Sequence, residues 1–231
     1  MFFKPNFDLY RFQDDVSSHL TIPRSPFVAV FRRGGKTLVY LCDRHRINRS
    51  FDMVDWVFDQ SSLPRPDVFL VEKENDHPGN VGTCNDNSMF YAAARATERD
   101  IPVVFADLSE DQMLAVLAAR FPGVNFSSRR LHQILKGGPI RSRGVDGEMD
   151  IDLNRYGRDK FMMENIAAAL NQYDTVWGIF GAGHFRAQES MLTDMLGAPE
   201  YMDRIPNMRR DFGRMEIKPI KLIDFDMGDE K

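Results

Sequence analysis

Residues 101–120 read IPVVFADLSEDQMLAVLAAR, and their order decides the fold class. Ile101 to Ala106 is a short apolar run of the kind that forms a strand buried on both faces. Ser109 and Gln112 then stand three apart, the spacing of a capping box, ahead of the helix EDQMLAVLAARF. A buried strand that feeds a capped helix is half of a strand–helix–strand unit, whose strands run parallel.

The same alternation extends in both directions. Upstream, Asp67 to Val71 (DVFLV) is another short apolar strand, followed by a Gly/Asn-rich loop from Glu74 to Asn87 and a helix through MFYAAARATER, which Ser88 is placed to cap. Further upstream, Phe27 to Phe31 (FVAVF) and Thr37 to Cys42 (TLVYLC) flank RRGGK and predict a β-hairpin. Met53, Trp56 and Val57 fall at helical spacing within a helix over Asp52 to Gln60. Downstream, the helix from Arg158 carries Met162, Ile166, Ala169 and Leu170 on one stripe, and Thr175 to Phe180 (TVWGIF) is a strand joined by GAGH to the helix RAQESMLTDML. Residues 126–154 lack sustained periodicity and read as a short helix and a mobile loop. Met215 to Phe225, with Pro219 inside it, reads as an edge strand, and the acidic tail DMGDEK as frayed. The expectation is one α/β domain over residues 1–231, with its core at about 26–225. Its sheet is predominantly parallel and buried between helices, with the hairpin at the N-terminal end.

Composition narrows the function. With 231 residues, 43% of them hydrophobic, the chain can bury a sizeable core. A net charge of -4 with interspersed signs gives no reason to expect a nucleic-acid partner. No stretch is long or apolar enough to cross a bilayer, and MFFKPNFDLYRFQDD lacks the uninterrupted apolar core of a signal peptide, so no membrane association is expected. Cys42 and Cys84 lie far apart without a CxxC, which fits a reduced, cytoplasmic chain. No GxSxG elbow points to a serine nucleophile, and neither cysteine stands in an activating motif. The basic stretch GGPIRSRG lacks the Lys-Ser/Thr ending of a P-loop and reads as solvated.

In open parallel sheets ligands bind beyond the carboxyl ends of the strands. The residues expected there are Asp43 and His45 after TLVYLC, Glu72 after DVFLV, Asp107 after IPVVFA, and His184 after TVWGIF. Gly181 and Gly183 in FGAGHF free the backbone for a tight turn and a close ligand approach. Arg158 precedes Met162 by four residues, so it points along the buried face and calls for an anion or carboxylate. Asn165 lies near that face, where it would order Arg158 or a loop. Each acid also has a simpler role as a helix cap or solvated charge, and His45 sits between two arginines as a surface histidine would. Two histidines and a glutamate serve equally as general base, acid and orienter for attack by water, or as ligands of one divalent metal. The residue types do not choose between these modes.

The order of these motifs resembles the superfamily that joins erythromycin esterases, ChaN-like haem-associated lipoproteins, and the TraB and Tiki proteins. The resemblance rests on TLVYLCDRH, PDVFLVE, YAAARATERDIPVVFAD, RDKFMMENIAA and VWGIFGAGHF, and spans roughly Thr37 to Leu196. It implies catalytic roles for His45, Glu72, Arg158 and His184, and the strand-end reading adds Asp107, Gly181, Gly183 and Asn165 on the substrate side. It also makes His45, Glu72 and His184 the candidate ligands should a divalent metal be the cofactor. The implied activity is hydrolysis of ester or amide bonds in a small molecule or peptide, esterase-like or metal-dependent and peptidase-like. The alternative is a noncatalytic module binding haem, metal or a small metabolite in the same cleft. The first GxxH of the Tiki pattern reads Cys42-Asp43-Arg44-His45 here.

Overall fold

The computed structural model describes residues 2–10, 23–44, 47–74, 87–141, 145–207 and 223. In chain order the strands are β1 (Phe27–Arg33), β2 (Lys36–Asp43), β3 (Val68–Glu74), β4 (Val103–Asp107), β5 (Thr175–Gly181) and β6 (Glu200–Met202). The helices are α1 (Ile47–Phe58), α2 (Ser88–Thr97), α3 (Glu110–Arg120), α4 (Ser128–Arg141), α5 (Val145–Leu153), α6 (Asp159–Gln172) and α7 (Ala182–Leu196). A π-helical turn, Asn154–Arg158, joins α5 to α6, and a 3-10 turn, Phe7–Leu9, precedes β1.

The six strands form one sheet in the order β4-β3-β5-β2-β1-β6. Neighbours β4/β3, β3/β5 and β5/β2 are parallel, whereas β1 is antiparallel to both β2 and β6. The sheet is therefore mixed but mostly parallel, with helices on both faces. The expected hairpin is β1–β2. Arg33 pairs with Lys36 across Gly34 and Gly35, whose φ angles of 58° and 82° lie in the left-handed region that a tight two-residue turn requires.

Side chains along each strand alternate between two clusters. Val39, Leu41, Phe69, Val71, Val103, Phe105 and Ile179 face α1 and α2. Leu38, Tyr40, Val68, Leu70, Val104, Ala106 and Phe180 face α6 and α7. That period of two determines where the first polar residue beyond each strand points. A third cluster, with Met113, Leu117, Leu131, Ile134, Met149 and Leu153, unites α3, α4 and α5.

Connections place the crevice. The chain leaves β2 and β3 for helices on the α1/α2 face and leaves β5 for α7 on the other, while β5 sits between β3 and β2. The helices that follow β2 and β3 thus lie on one face and the helix that follows β5 on the other, which makes the carboxyl end of β5 a switch point, where such sheets bind ligands.

Several elements differ from the sequence reading. Residues 128–141 and 145–153 form two helices, where 126–154 reads as one short helix and a mobile loop. The satellite cluster supplies burial to α5, whose own sequence has almost no amphipathic bias. Helix α1 begins at Ile47 rather than Asp52. Asn87, not Ser88, caps α2, its side chain accepting from the Met89 N–H. The capping box of Ser109 and Gln112 is present on α3. The short strand β6 has too few residues to show a period. Of the segment 215–225, Ile223 alone is described; its N–H donates to the Val103 carbonyl on edge strand β4 at 3.0 Å. Among the described residues no helix is long and apolar enough to cross a membrane.

Candidate functional site

Glu72 follows Val71 on β3, and alternation turns it toward α6 and α7. Its carboxylate collects three donors. Arg158 Nη2 reaches Oε1 at 2.9 Å, His184 Nε2 lies 3.2 Å from the same oxygen, and the Gly181 N–H donates to Oε2. Residues distant in sequence, from a strand end, a helix junction and a strand-to-helix turn, thus meet at the switch point.

Arg158 also grips Asp107, at the end of β4. Its Nε lies 3.1 Å from each carboxylate oxygen, and Nη2 lies 2.7 Å from Oδ2. A planar guanidinium can serve two carboxylates in this way, whereas an ammonium cannot. Burial works against the charge on Arg158, but Asp107 and Glu72 outweigh it and raise its pKa. Asp107 accepts from the Leu108 N–H as well, so it combines the local loop bond with the site role.

His184, in the first turn of α7, has a carboxylate at each ring nitrogen: Glu72 at Nε2, and Asp159 Oδ1 2.8 Å from Nδ1. Carboxylates only accept, so both nitrogens donate and the ring is an imidazolium. Burial alone would lower its pKa, but Glu72 and Asp159 raise it to about 10. For Glu72, burial opposes ionisation, and the charges of His184 and Arg158 with the Gly181 N–H override it, holding the carboxyl well below its ordinary range. At neutral pH the two form a charged pair in which His184 is an acid.

Asp159 opens α6 and is almost wholly buried. It also accepts from Gln188 Nε2 at 2.7 Å and Tyr10 Oη at 2.9 Å, and Gln188 in turn accepts from Tyr40 Oη at 3.1 Å. The sequence reading passed over Asp159 and Gln188. The signal was there: Asp159 stands three and four residues before Met162 and Met163, and Gln188 three and four before Met191 and Leu192. Each therefore lies on its helix's apolar stripe, where a polar residue needs a partner.

Asp43 turns the other way. It follows Cys42, which faces α6 and α7, so alternation points it to α1 and α2. There its carboxylate accepts from Ser50 Oγ and Ser88 Oγ and from the Arg44 N–H. It ties two helix starts to the end of β2, immediately before His45, which lies outside the described residues. Cys42 itself is buried, and burial pushes its thiol pKa well up, away from the thiolate a nucleophile needs.

The remaining expected residues are placed differently. Asn165 donates back to the Phe161 carbonyl at 2.9 Å within α6, a local bond that leaves it out of the Arg158 cluster. Asn154 takes the role expected of Asn165, with Oδ1 3.4 Å from Arg158 Nη1. Gly181 precedes α7 with φ −62°, a conformation open to any residue, so the turn does not demand glycine; its contribution is the N–H on Glu72. Gly183 lies in the first turn of α7 and is likewise outside the positive-φ set.

Among the described residues no group of three or more His, Cys, Asp or Glu side chains is arranged to hold a metal ion. The donor chemistry explains this: both His184 nitrogens carry protons and Glu72 is saturated with donors. A divalent metal does not fit Glu72 and His184 as they stand. Comparison with protein-family models, curated proteins and solved structures found no match.

Proposed function

We propose that this chain is a hydrolase of ester or amide bonds, working at the carboxyl ends of β3 and β5. One observation carries the reading: Glu72 binds Arg158, His184 and the Gly181 N–H together at the switch point of the sheet. The motif resemblance to the erythromycin esterase, ChaN-like and TraB/Tiki superfamily supports it independently, since it selects Glu72, Arg158 and His184 from the sequence.

In this reading His45 takes the proton of the attacking water as its oxygen bonds to the carbonyl carbon. The carbonyl electron pair moves onto oxygen, where Arg158 stabilises the developing charge. The imidazolium of His184 then protonates the leaving oxygen or nitrogen as its bond to carbon breaks. Glu72 and Asp159 hold that ring in place. Purified protein would be assayed against p-nitrophenyl esters and a peptide mixture, with and without divalent metal. The expected result is turnover that falls on the order of a hundredfold in both His184→Gln and Glu72→Gln; turnover unchanged by both overturns the reading.

The internal saturation of the cluster, which leaves Glu72 and His184 neither a free base nor a free metal ligand, favours a second reading, a noncatalytic module binding a small metabolite beside it rather than a metal or haem on these residues. Absorbance and metal analysis of the purified protein distinguish the two: a stoichiometric bound group without turnover supports the module.

A further inference from the structure

The opposite end of the sheet holds a recess of about 440 Å³, within the size range of small-molecule sites. It opens at the amino ends of β3 and β4, between the last residue of α1 and the turn after α2. Part of its wall is aromatic and apolar, beside the polar side chains of Gln60, Arg65, Arg99 and Asp100. Phe58 and Trp177 lie with ring centroids 5.3 Å apart, and Leu63 and Ile101 extend the surface.

Its rim carries two guanidinium groups. Arg65 donates through Nη2 to the Arg99 carbonyl at 2.7 Å and has no carboxylate partner among the described residues. Arg99 lies with its guanidinium 5.0 Å from the Phe58 ring centroid and meets Asp59 only at 3.3 Å, on a side chain about half exposed. Burial and the neighbouring Arg95 lower the pKa of Arg99, against the opposing pull of Asp59, Glu98 and Asp55. Asp100 lines the recess and Asp59 pairs with Arg99 beside it, so Arg65 is the guanidinium there without a carboxylate partner among the described residues.

A second observation comes from the wall. The indole N–H of Trp177 is buried and has no acceptor among the described residues. A buried donor without an acceptor is costly.

We propose that this recess binds a small carboxylic acid with an aromatic body. The carboxylate would sit on Arg65 and Arg99, where planar guanidinium groups match its two oxygens. The ring would lie against Phe58 and Trp177. The site is remote from the Glu72 cluster and does not depend on the hydrolase reading.

Trp56 and Trp177 are the two tryptophans, so in Trp56→Phe the emission reports Trp177 alone. That variant would be titrated with phenylacetate, with 2-phenylethanol and with inorganic phosphate. The same three titrations by calorimetry on the unaltered chain keep the test valid should the variant fold poorly. Phenylacetate is expected to give saturable binding with a change in Trp177 emission, the alcohol and phosphate binding at least about tenfold more weakly. Arg65→Ala and Arg99→Gln, both at exposed or half-exposed positions, are each expected to weaken phenylacetate severalfold. Equal binding of the alcohol, equal binding of phosphate, no saturable binding of phenylacetate, or affinity unchanged in both arginine variants would overturn the proposal.

Discussion

His184 Nε2 stands 3.2 Å from Glu72 Oε1 while its Nδ1 stands 2.8 Å from Asp159 Oδ1, so one buried imidazole is clamped between two carboxylates. The arrangement stabilises the cation and fixes the ring plane. It also commits His184 to donating rather than abstracting a proton until one carboxylate is displaced or neutralised.

A first prediction concerns the charge of that ring. The pKa of His184 is raised to about 10 in the folded chain against an ordinary 6.5. The folded state therefore binds the proton more tightly, and the stability this contributes is complete below about pH 6.5 and lost as pH rises through about 10. Nitrogen-15 NMR of the histidine rings is expected to show both His184 nitrogens protonated at pH 8. A ring that titrates near 6.5 would contradict the clamp.

A second prediction concerns Arg158. Arg158→Met leaves Glu72 and Asp107 buried without their shared guanidinium, which should cost about 3–5 kcal/mol of stability. Arg158→Lys restores the charge but not the fork that spans both acids, so it should recover only part of that loss. Urea unfolding of the three proteins measures this, and equal midpoints for Lys and Arg would refute the bidentate role.

Much of this site was legible before any coordinates. Short apolar strands each followed by a helix imply a parallel sheet, and the residue just past each strand is then a candidate ligand or catalyst; Glu72, Asp107 and His184 were found that way. Arg158 was found by its helical spacing to Met162, although the π turn that delivers it leaves no mark in composition. Asp159 and Gln188 were legible in the same spacing but went unread, because a polar residue on an apolar stripe reveals its partner only in three dimensions. The helicity of residues 145–153 is hidden, because α5 has almost no amphipathic bias and depends on the cluster it shares with α3 and α4, whereas α4 carries the apolar stripe of the short helix expected in this region. The glycines of FGAGHF suggested a special backbone, whereas Gly181 has an ordinary one.

A third prediction tests the outer support of the clamp. Tyr10 Oη donates to Asp159 Oδ2, and burial first, then the Asp159 charge and hydrogen bond, raise its phenol pKa far above the ordinary value. Tyr10→Phe removes one of three donors on Asp159 and should cost about 1 kcal/mol. Asp159→Asn removes the charge that holds the Nδ1 proton and should lower the His184 pKa. Ring-nitrogen titrations of the two variants separate these effects: a His184 pKa unmoved in Asp159→Asn would mean that Glu72 alone sets it.

A fourth prediction turns on Asp150, in α5 beside the Arg158 support. One carboxylate oxygen lies 3.3 Å from Asn154 Nδ2, while the other is buried without a hydrogen-bond partner among the described residues. Burial raises its pKa from 3.8 to about 6, against the opposing pull of Arg158, Asn154 and His184. The folded chain thus holds this proton more tightly than the unfolded chain does. Its contribution to stability is complete below about pH 4 and is lost as pH rises through about 6. At pH 7.5 the wild type keeps a poorly compensated buried charge that Asp150→Asn, similar in shape and neutral, does not carry. The variant is therefore expected to be more stable at pH 7.5 by on the order of 2 kcal/mol, with the gain shrinking toward pH 4. Thermal unfolding of both proteins across this range gives the answer, and an advantage for the wild type at pH 7.5 would show that the ionised Asp150 is held by a partner after all.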